Sequence, residues 1–256
     1  MLGLGNSVMT PIVSSGFGKR GSLVLDGVGD YMTVGSMNDT MNDTFTITWR
    51  IMFDDSNISG HQISGQANST SQDMTYMGFV SNTSHYGWHK SNNSLNSVNG
   101  GAMWTKSAGN PTSWMTIGMA FDCTGGGTNA DGRFYCEIPG KESYVQYSSM
   151  TIANVNAFSS NNPFAIGAWI NSGGSAQWIH EGGAIADVAI YKGYAFTQAD
   201  FNEIYDSPEL DYRTLSHAAY LTSYFPFGEA GTADVMGGIT PVYAGDPTVS
   251  MTHPSD

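Results

Sequence analysis

Residues 183–191 read GAIADVAIY, a nearly uninterrupted apolar run that predicts one long strand. Residues 44–53, TFTITWRIMF, predict a second strand because large apolar side chains alternate with mostly polar ones. The positions expected on one face are Phe45, Ile47, Trp49 and Ile51, and those on the other are Thr46, Thr48, Arg50 and Met52. Together these two segments predict a sheet with one face turned towards an apolar core.

A short helix is predicted directly after the first of these strands. Thr197 is placed to cap its N-terminus, and Asp200, three residues later, completes a carboxylate variant of the capping box. Phe196 and Phe201 have the spacing of a hydrophobic staple. We therefore expect one helix near residues 198–206, packed on the edge of the sheets.

The rest of the chain alternates between short strands and turn-rich segments. Two strands are expected around an Asp-Gly turn within 21–34, and others at 74–80, 86–90, 102–105, 113–122, 132–138, 144–147, 164–169 and 178–180. Short strands separated by turn signals every 8–12 residues or so indicate an all-β sandwich or jelly roll.

The domain organisation follows from where this strand pattern begins and ends. Residues 1–20 are rich in Gly and Ser, and residues 228–256 are rich in Gly, Pro and Thr without periodicity. We expect an extended N-terminal arm over 1–20, one jelly-roll domain over 21–227 and an extended C-terminal tail over 228–256.

The composition excludes several classes of partner. Charged residues make up 12% of the 256 residues, against about 25% in a typical soluble domain. Nine Lys and Arg against 22 Asp and Glu give a net charge of −13. A chain this acidic offers no electrostatic footprint for nucleic acid or for an anionic membrane surface. A Gly-rich, aromatic-rich chain without a recognisable export signal or membrane span suggests a surface protein of a particle assembled inside a cell.

Four segments, in this order along the chain, resemble the laminin-G-like jelly roll of the concanavalin A-like lectin and glucanase superfamily. They are SLVLDGVGDYMTV at 22–34, the strand at 45–53, the hairpin at 114–142 and the segment 165–205 that contains GAIADVAIY and the capped helix. The resemblance covers roughly residues 21–206. The segment YLTSYFPFGEAG at 220–231 resembles a sequence motif that often flanks such domains. The start of the chain also resembles structural proteins of marine tailed bacteriophages. The resemblance implies a concanavalin A-like jelly-roll fold.

Because this superfamily includes glucanases, catalysis has to be considered. A retaining glycosidase needs two carboxylates about 5–5.5 Å apart. No predicted strand carries acidic residues at alternating positions, and Glu181 and Asp187 are separated by two glycines and three other residues. The resemblance gives Asp187 a structural role. We expect no catalytic residues and no enzymatic activity.

Metal binding is weighed in the same way. Among the six histidines only His85 and His89 are close enough to share a strand face, so no zinc site is predicted. Aspartates at strand ends could converge on calcium or could simply form turns. They are Asp26, Asp30, Asp54, Asp55, Asp122 and Asp131. We expect no cofactor, with calcium as the open alternative.

The two cysteines, Cys123 and Cys136, flank a predicted hairpin loop. They could form a disulfide if the two strands pair about the centre of that loop. They would be free thiols in a protein assembled in a reducing cytosol. The second reading is favoured, and the sequence leaves the first open.

Aromatic residues are the candidates for sugar stacking. Trp49, Trp114 and Trp169 alternate into predicted core faces. Tyr86, Trp88 and Trp104 lie beside loops rich in Asn, Ser and Gly, and they are the candidate carbohydrate-binding residues.

The N-terminal arm carries large apolar side chains that a free soluble tail would seldom keep. They are Leu2, Leu4, Val8, Met9, Ile12 and Val13. The arm is expected either to dock on a neighbouring molecule or to pair as an edge strand of its own sandwich.

The sequence as a whole predicts a non-enzymatic virion protein of a tailed bacteriophage, made in the host cytoplasm and displayed as a capsid decoration protein. The alternatives are a carbohydrate-binding adhesin of a tail or head fibre and, last, a glycanase. Expected partners are the major capsid protein or other virion proteins, further copies of the chain, and a host surface glycan.

Overall fold

A computed structural model describes residues 20–41, 43–53, 62–67, 74–81, 84–90, 97–98, 114–122, 130–137, 144–150, 161–171, 173–177, 182–207, 209 and 211–253. The strands form two sheets of eight and nine members. The predicted all-β class is confirmed.

The eight-stranded sheet is wholly antiparallel. Its strands are β1 (Ser22–Leu25), β3 (Phe45–Phe53), β8 (Met115–Asp122), β9 (Ala130–Glu137), β10 (Tyr144–Met150), β14 (Gly183–Lys192), β15 (Leu221–Phe225) and β17 (Thr248–Ser250). The order is β10-β9-β8-β3-β14-β1-β17, and β15 pairs with β14. The two long strands predicted at 183–191 and 44–53, now β14 and β3, are therefore neighbours at the centre of this sheet.

The nine-stranded sheet contains shorter strands and one parallel pair, between β12 and β4. Its strands are β2 (Tyr31–Thr33), β4 (Gln62–Ala67), β5 (Met74–Ser81), β6 (Ser84–Lys90), β7 (Ser97–Val98), β11 (Ala165–Ile166), β12 (Trp169–Ile170), β13 (Ala176–Gln177) and β16 (Val242–Ala244). The main path is β16-β2-β11-β4-β5-β6-β7.

An apolar core fills the space between the sheets. Leu23, Trp49 and Ile185 contribute from the eight-stranded sheet, and Met32 and Ile166 from the nine-stranded sheet. All five side chains are fully buried. The predicted core face of β3 is confirmed, since Phe45, Ile47, Trp49 and Ile51 all belong to this cluster.

The opposite face of β3 is buried as well, which the alternation of polar residues did not predict. A second apolar layer covers it, built around Phe196, Phe201 and Tyr212. Thr46 joins the two layers, because its Oγ1 donates to the carbonyl of Tyr194 at 3.0 Å and accepts from the amide of Phe196 at 2.9 Å. Hydrogen bonding of this kind lets a threonine face a buried interface.

The predicted helix is confirmed as α2, Gln198–Asp206. Oγ1 of Thr197 accepts from the amide of Asp200 at 3.4 Å, and the Asp200 carboxylate accepts from the amide of Thr197 at 2.7 Å. The structure adds a one-turn helix α1, Asn38–Met41, and 3₁₀ turns at Tyr212–Thr214, Ala218–Tyr220 and Gly228–Ala230. No helix in the described part of the chain is long and apolar enough to span a bilayer.

The strands predicted around the Asp-Gly turn exist, but they do not pair with each other. β1 pairs with β14 and β17, whereas β2 pairs with β11 and β16. Both edges of β1 are already occupied, so the chain crosses from one sheet to the other at this turn. The segment is a corner of the sandwich rather than a hairpin.

The segment after residue 228 differs from the expectation of an extended tail. β16 and β17 each add a strand to a different sheet, and His253 is buried. Their short length and flanking prolines had hidden these strands from sequence reasoning. The division of the chain into three regions stays a prediction, and the arm over 1–19 lies outside the described residues.

Other strands differ in detail from prediction. The strand expected over 164–169 is split into β11 and β12, because Gly167 adopts a positive φ of 87°. β4 and β7 were not predicted. The segments 102–105 and 178–180 lie outside the described residues.

Candidate functional site

Two of the three predicted sugar-stacking residues lie close together on β6. Tyr86 is opposite Gly78 of β5, and Trp88 is opposite Tyr76. Residues two apart on a strand share a face, and directly opposed residues share it too. Positions 76, 86 and 88 therefore form one aromatic group. The sequence analysis missed Tyr76, because only the pairing of β5 with β6 brings this position next to Trp88.

This aromatic group lies on the face of the nine-stranded sheet that is turned away from the core. From Tyr76 the register runs through Gly65 and Ala165 to Thr33. The neighbouring set, which starts at Met77 and passes through Ser64, reaches Ile166 and Met32 of the core. We call the first set the outer face. Its Gly65 and Ala165 are buried, and Ala165 belongs to a small separate cluster with Ala168 and Ile170. Trp104 lies outside the described residues, as do the six apolar arm residues from Leu2 to Val13.

The strands of the nine-stranded sheet contain no carboxylate. Over their described positions no Asp or Glu occurs, and the basic residues are His85, His89 and Lys90. The strands of the eight-stranded sheet, by contrast, contain Asp122, Asp131, Glu137 and Asp187. The outer face thus combines aromatic positions with an absence of acidic strand residues.

The two neighbouring histidines fall on the other side of β6 from Trp88. His85 is opposite Phe79 and His89 is opposite Thr75, in the register set of Met77. They share a face, as expected from their spacing. A zinc role for them is not predicted.

Two of the six aspartates considered for calcium come together. Carboxylate oxygens of Asp26, Asp30 and Asp246 all lie within 4.8 Å of one another. The buried Asp30 carboxylate accepts from the amides of Asp26 and Asp246, each at 2.9 Å. These bonds explain the cluster as a clamp between the β1–β2 and β16–β17 turns. Calcium binding there stays a prediction.

Of the other four aspartates considered for calcium, two lie within the described residues. Asp122 and Asp131 are directly opposed across β8 and β9. Asp54 and Asp55 lie outside the described residues.

The register of β8 and β9 argues against the disulfide alternative. Cys136 is opposite Ile117, whereas Asp122, the residue before Cys123, is opposite Asp131. A bridge would require Cys123 to face Cys136, and the ladder is displaced by several residues from that arrangement. Cys123 itself lies outside the described residues.

Asp187 is the centre of a buried charged cluster. Its carboxylate accepts hydrogen bonds from Tyr224 Oη at 2.9 Å and from His253 Nε2 at 2.7 Å. Arg20 Nη1 lies 3.2 Å from Oδ1, and Arg50 Nε lies 3.5 Å from Oδ2. All five side chains are buried. The structural role that the sequence resemblance implies for Asp187 agrees with this environment.

The local backbone explains why the carboxylate can reach all these partners. β14 has a bulge between Ala186 and Ala189, and Asp187 adopts a positive φ of 49° there. On one side of the bulge β14 pairs with β1, and on the other side the same edge pairs with β15. The bulge therefore aims the Asp187 side chain at the junction between two strands that share an edge.

The electrostatics of the cluster favour the ionised carboxylate. Burial alone would raise the pKa of Asp187, but the hydrogen bond from His253 and the charges of Arg20 and Arg50 outweigh it and lower the pKa. Burial raises the pKa of Tyr212 to about 12, against the opposing effect of the Arg50 charge. Because all its members are buried, the cluster is closed to substrate. Glu181, its candidate catalytic partner, lies outside the described residues.

A second aromatic group lies at the surface beside α2. Tyr194 stacks on His217 at 4.4 Å and on Tyr220 at 5.0 Å between ring centroids. His217 Nε2 is 3.3 Å from Asp200, and its Nδ1 is 2.7 Å from Ser216 Oγ. Tyr194 Oη donates to Asp200 at 3.3 Å, so the polar atoms of Tyr194 and His217 have partners and the rings are stacked on one another. A substitution in this group can therefore serve as a control for substitutions at the aromatic positions of the outer face.

None of the protein-family models and none of the curated proteins compared matches the chain. Among solved structures it is similar to a proposed carbohydrate-binding protein from Bacteroides ovatus, with a TM-score of 0.53 and 16% identity over 91% of this chain. This chain spans 60% of the length of that protein.

It is also similar to a heptameric SAP-like pentraxin from Limulus polyphemus, with a TM-score of 0.48 and 13% identity over 92% of this chain and 91% of the pentraxin. Domains LG4-5 of the mouse laminin α1 chain give a TM-score of 0.40 and 11% identity over 68% of this chain and 43% of that one. Identities this low bear on the fold alone. The predicted jelly-roll fold is confirmed by the two sheets and the similarity to the Bacteroides ovatus structure.

Proposed function

We propose that this domain binds carbohydrate, without modifying it, through the outer face of the nine-stranded sheet. The observation that carries the proposal is the register that sets Tyr76, Tyr86 and Trp88 side by side on that face. Aromatic rings bury large apolar areas at little conformational cost, and sugar rings present apolar C–H faces that can stack on them. The similar Bacteroides ovatus protein is itself named for carbohydrate binding, which supports the same reading.

The absence of carboxylates supports a binding role over hydrolysis. Glycosidases of the usual kind use two carboxylates that flank the scissile bond. The described strands of the nine-stranded sheet contain neither Asp nor Glu, and the buried Asp187 belongs to the other sheet. The glycanase is therefore the weakest of the functions considered.

Glycan-array binding with matched variants tests this proposal. We expect the wild-type protein to bind a subset of glycans, and Trp88→Ala to weaken that binding by up to about tenfold through loss of stacking. Tyr220→Ala removes a ring that is 41% exposed but lies in the group beside α2, so it should bind as wild type does. Binding by folded Trp88→Ala that equals wild type would contradict the proposal, as would a wild-type protein that binds no glycan.

We also propose that this binding domain belongs to a virion surface protein of a tailed bacteriophage. That protein would be made in the host cytoplasm. Capsid decoration is the simplest form of it, and a fibre adhesin is the form that uses the sugar site most directly. Apolar side chains exposed at the outermost strands support a docking role: Val242 of β16 is 64% exposed and Val249 of β17 is 38% exposed. Edge strands of this kind are ready surfaces for association.

Partners in that setting are the major capsid protein or other virion proteins, together with further copies of the chain. Imaging of purified virions with and without the protein tests the location. Copy number separates the two forms, because a decoration protein is expected in far more copies per particle than a fibre protein. A protein missing from purified virions would contradict both forms and leave the sugar-binding proposal standing.

A further inference from the structure

One side of the sandwich ends in edges that no strand of the described chain covers. β17 is the last strand of the eight-stranded sheet, next to β1, and β16 is the last strand of the nine-stranded sheet, next to β2. The two strands follow each other in the chain and are joined by the turn at 245–247. Backbone groups along the outer side of such strands are available to pair with another strand.

Exposed apolar side chains are concentrated at these edges. Six large apolar side chains are exposed in the described residues, and four of them come from the stretch 236–251. They are Met236, Val242, Val249 and Met251. Val249 is directly opposite Leu23 of the core cluster, so it lies at the rim of the apolar core.

Met236 and β17 border the same side of the eight-stranded sheet. β1 and β15 occupy one edge of β14, one after the other. β17 lies beyond β1, and beyond β15 the amide of Val235 donates to the carbonyl of Tyr224 at 2.9 Å. We call the side formed by residues 235–236 and β17 the open side.

The open side is almost uncharged, although the chain is strongly acidic. Asp246 is the only charged residue between positions 235 and 252, in a chain of net charge −13. Asp234, just before this stretch, is buried, and its carboxylate accepts from the amides of Tyr224 and Ile239. Two copies of so acidic a chain repel each other least where their surfaces carry little charge. A neutral apolar surface therefore fits a second copy of itself better than a charged partner.

We propose that the open side binds a second copy of the chain, with the two β17 strands paired antiparallel about a twofold axis at Val249. The inference rests on the docking role proposed above for the edge strands and does not depend on carbohydrate binding. Thr248 of one copy then lies opposite Ser250 of the other, and two eight-stranded sheets become one continuous sheet. Thr and Val are residues that favour strand pairing.

The antiparallel arrangement also keeps the acidic turns apart. Asp246 lies three residues before Val249, and the Asp26 and Asp30 carboxylates lie beside it. Three residues on each side of the axis correspond to about 20 Å along the strands. The screening length at physiological salt is about 8 Å, so the acidic turns of the two copies repel each other weakly.

Sedimentation equilibrium of the full chain tests the proposal. We expect the wild type to form a dimer, with twice the 27.4 kDa mass of one chain, at micromolar concentrations. Val249→Lys places two like charges directly opposite each other at the axis, so it should raise the dissociation constant by about tenfold or more. Tyr220→Lys adds the same charge at a position of similar exposure beside α2, and it should dimerise as the wild type does.

Cross-linking provides a second readout that does not depend on how well Val249→Lys folds. In a background in which Cys123 and Cys136 are replaced by serine, Val249→Cys should form a disulfide-linked dimer under mild oxidation. Directly opposed residues of antiparallel strands have Cα atoms about 4.5–5.5 Å apart, a distance that a disulfide can span. Tyr220→Cys, the matched control, should remain mostly without a cross-link.

Each other occupant of the open side gives a distinct result. A wild-type monomer at about 100 μM, an intact dimer in folded Val249→Lys, or no cross-link in Val249→Cys would each overturn the proposal. Dimers that form only after deletion of residues 1–18 would show that the chain's own arm covers the edge, and loss of the dimer on that deletion would assign the contact to exchanged arms. Both results would contradict pairing through β17. Glycan binding and virion association by a monomeric protein would leave the proposed functions standing.

Discussion

His253 Nε2 lies 2.7 Å from Asp187 Oδ2, although the two residues are 66 positions apart and both are buried. Arg20, at the start of the described chain, contacts the same carboxylate at 3.2 Å. One side chain at the bulge of β14 therefore joins both ends of the described chain to the centre of a sheet. Local sequence patterns do not reveal such a connection.

Replacing Asp187 with asparagine should destabilise the fold strongly. Asparagine has almost the same shape and tolerates the positive φ at this position, so the substitution removes mainly the charge. Arg20 and Arg50 would then be buried without their counter-charge, at an expected cost of about 3–5 kcal/mol. Urea or thermal unfolding measures this change.

The control is Asp206→Asn, which removes an exposed carboxylate at the C-terminus of α2. Its effect should be neutral or slightly stabilising, because a negative charge is unfavourable at that end of a helix. Equal stabilities of the two variants would show that the buried cluster contributes little.

The stability of the protein should depend on pH through the same carboxylate. The pKa of Asp187 is lowered in the folded state, so its contribution is complete above the unfolded value of about 3.9 and is lost as the pH falls through the folded value. In that window the unfolded chain binds more protons, so stability rises with pH. Urea midpoints from about pH 5 to about pH 2 should fall less in Asp187→Asn than in the wild type. Parallel curves for the two proteins would assign the acid sensitivity to other groups.

The start of α2 makes separate predictions for its cap and its staple. Thr197→Ala should cost about 1 kcal/mol because the capping bond to Asp200 is lost. Phe201→Ala should cost about 3 kcal/mol, since this fully buried ring stacks on Tyr135 at 4.7 Å. Val28→Ala, at an 80% exposed position, should leave the melting midpoint almost unchanged. An effect of Phe201→Ala no larger than that of Val28→Ala would refute the packing argument.

Deleting residues 1–18 tests the N-terminal arm. If the arm docks on a neighbouring molecule, the truncated protein should keep its melting temperature. It should lose self-association or virion binding if the six apolar arm residues dock on a neighbour. A large fall in melting temperature would instead indicate that the arm pairs with its own sandwich. Normal binding after truncation would move docking to the exposed edge strands.

The features that could be predicted from sequence depend on residues close together in the chain. The alternation in 45–53 identified the core face of β3, because side chains on a strand point to opposite sides in turn. The spacing of Thr197, Asp200 and Phe201 identified α2, because a capping box is complete within one turn. The all-β class followed from many such local signals together.

The features that were missed depend on which strands become neighbours. Nothing in the short segments at 242–244 and 248–250 indicated that each would close the edge of a different sheet. The aromatic pair Tyr86 and Trp88 was recognised by residue type, but Tyr76 joined it only through the register of β5 and β6.

The sequence by itself determined the periodicities, the helix cap, the low charge and the apolar faces of the central strands. Tertiary structure alone decided that β1 and β2 belong to different sheets, that Cys136 is opposite Ile117 in the register, and that Arg20 and His253 meet at Asp187. The physical reason is that a period of two shows that a strand has two faces, but it does not specify partner or register. Those are chosen by the burial and pairing of residues far apart in the chain.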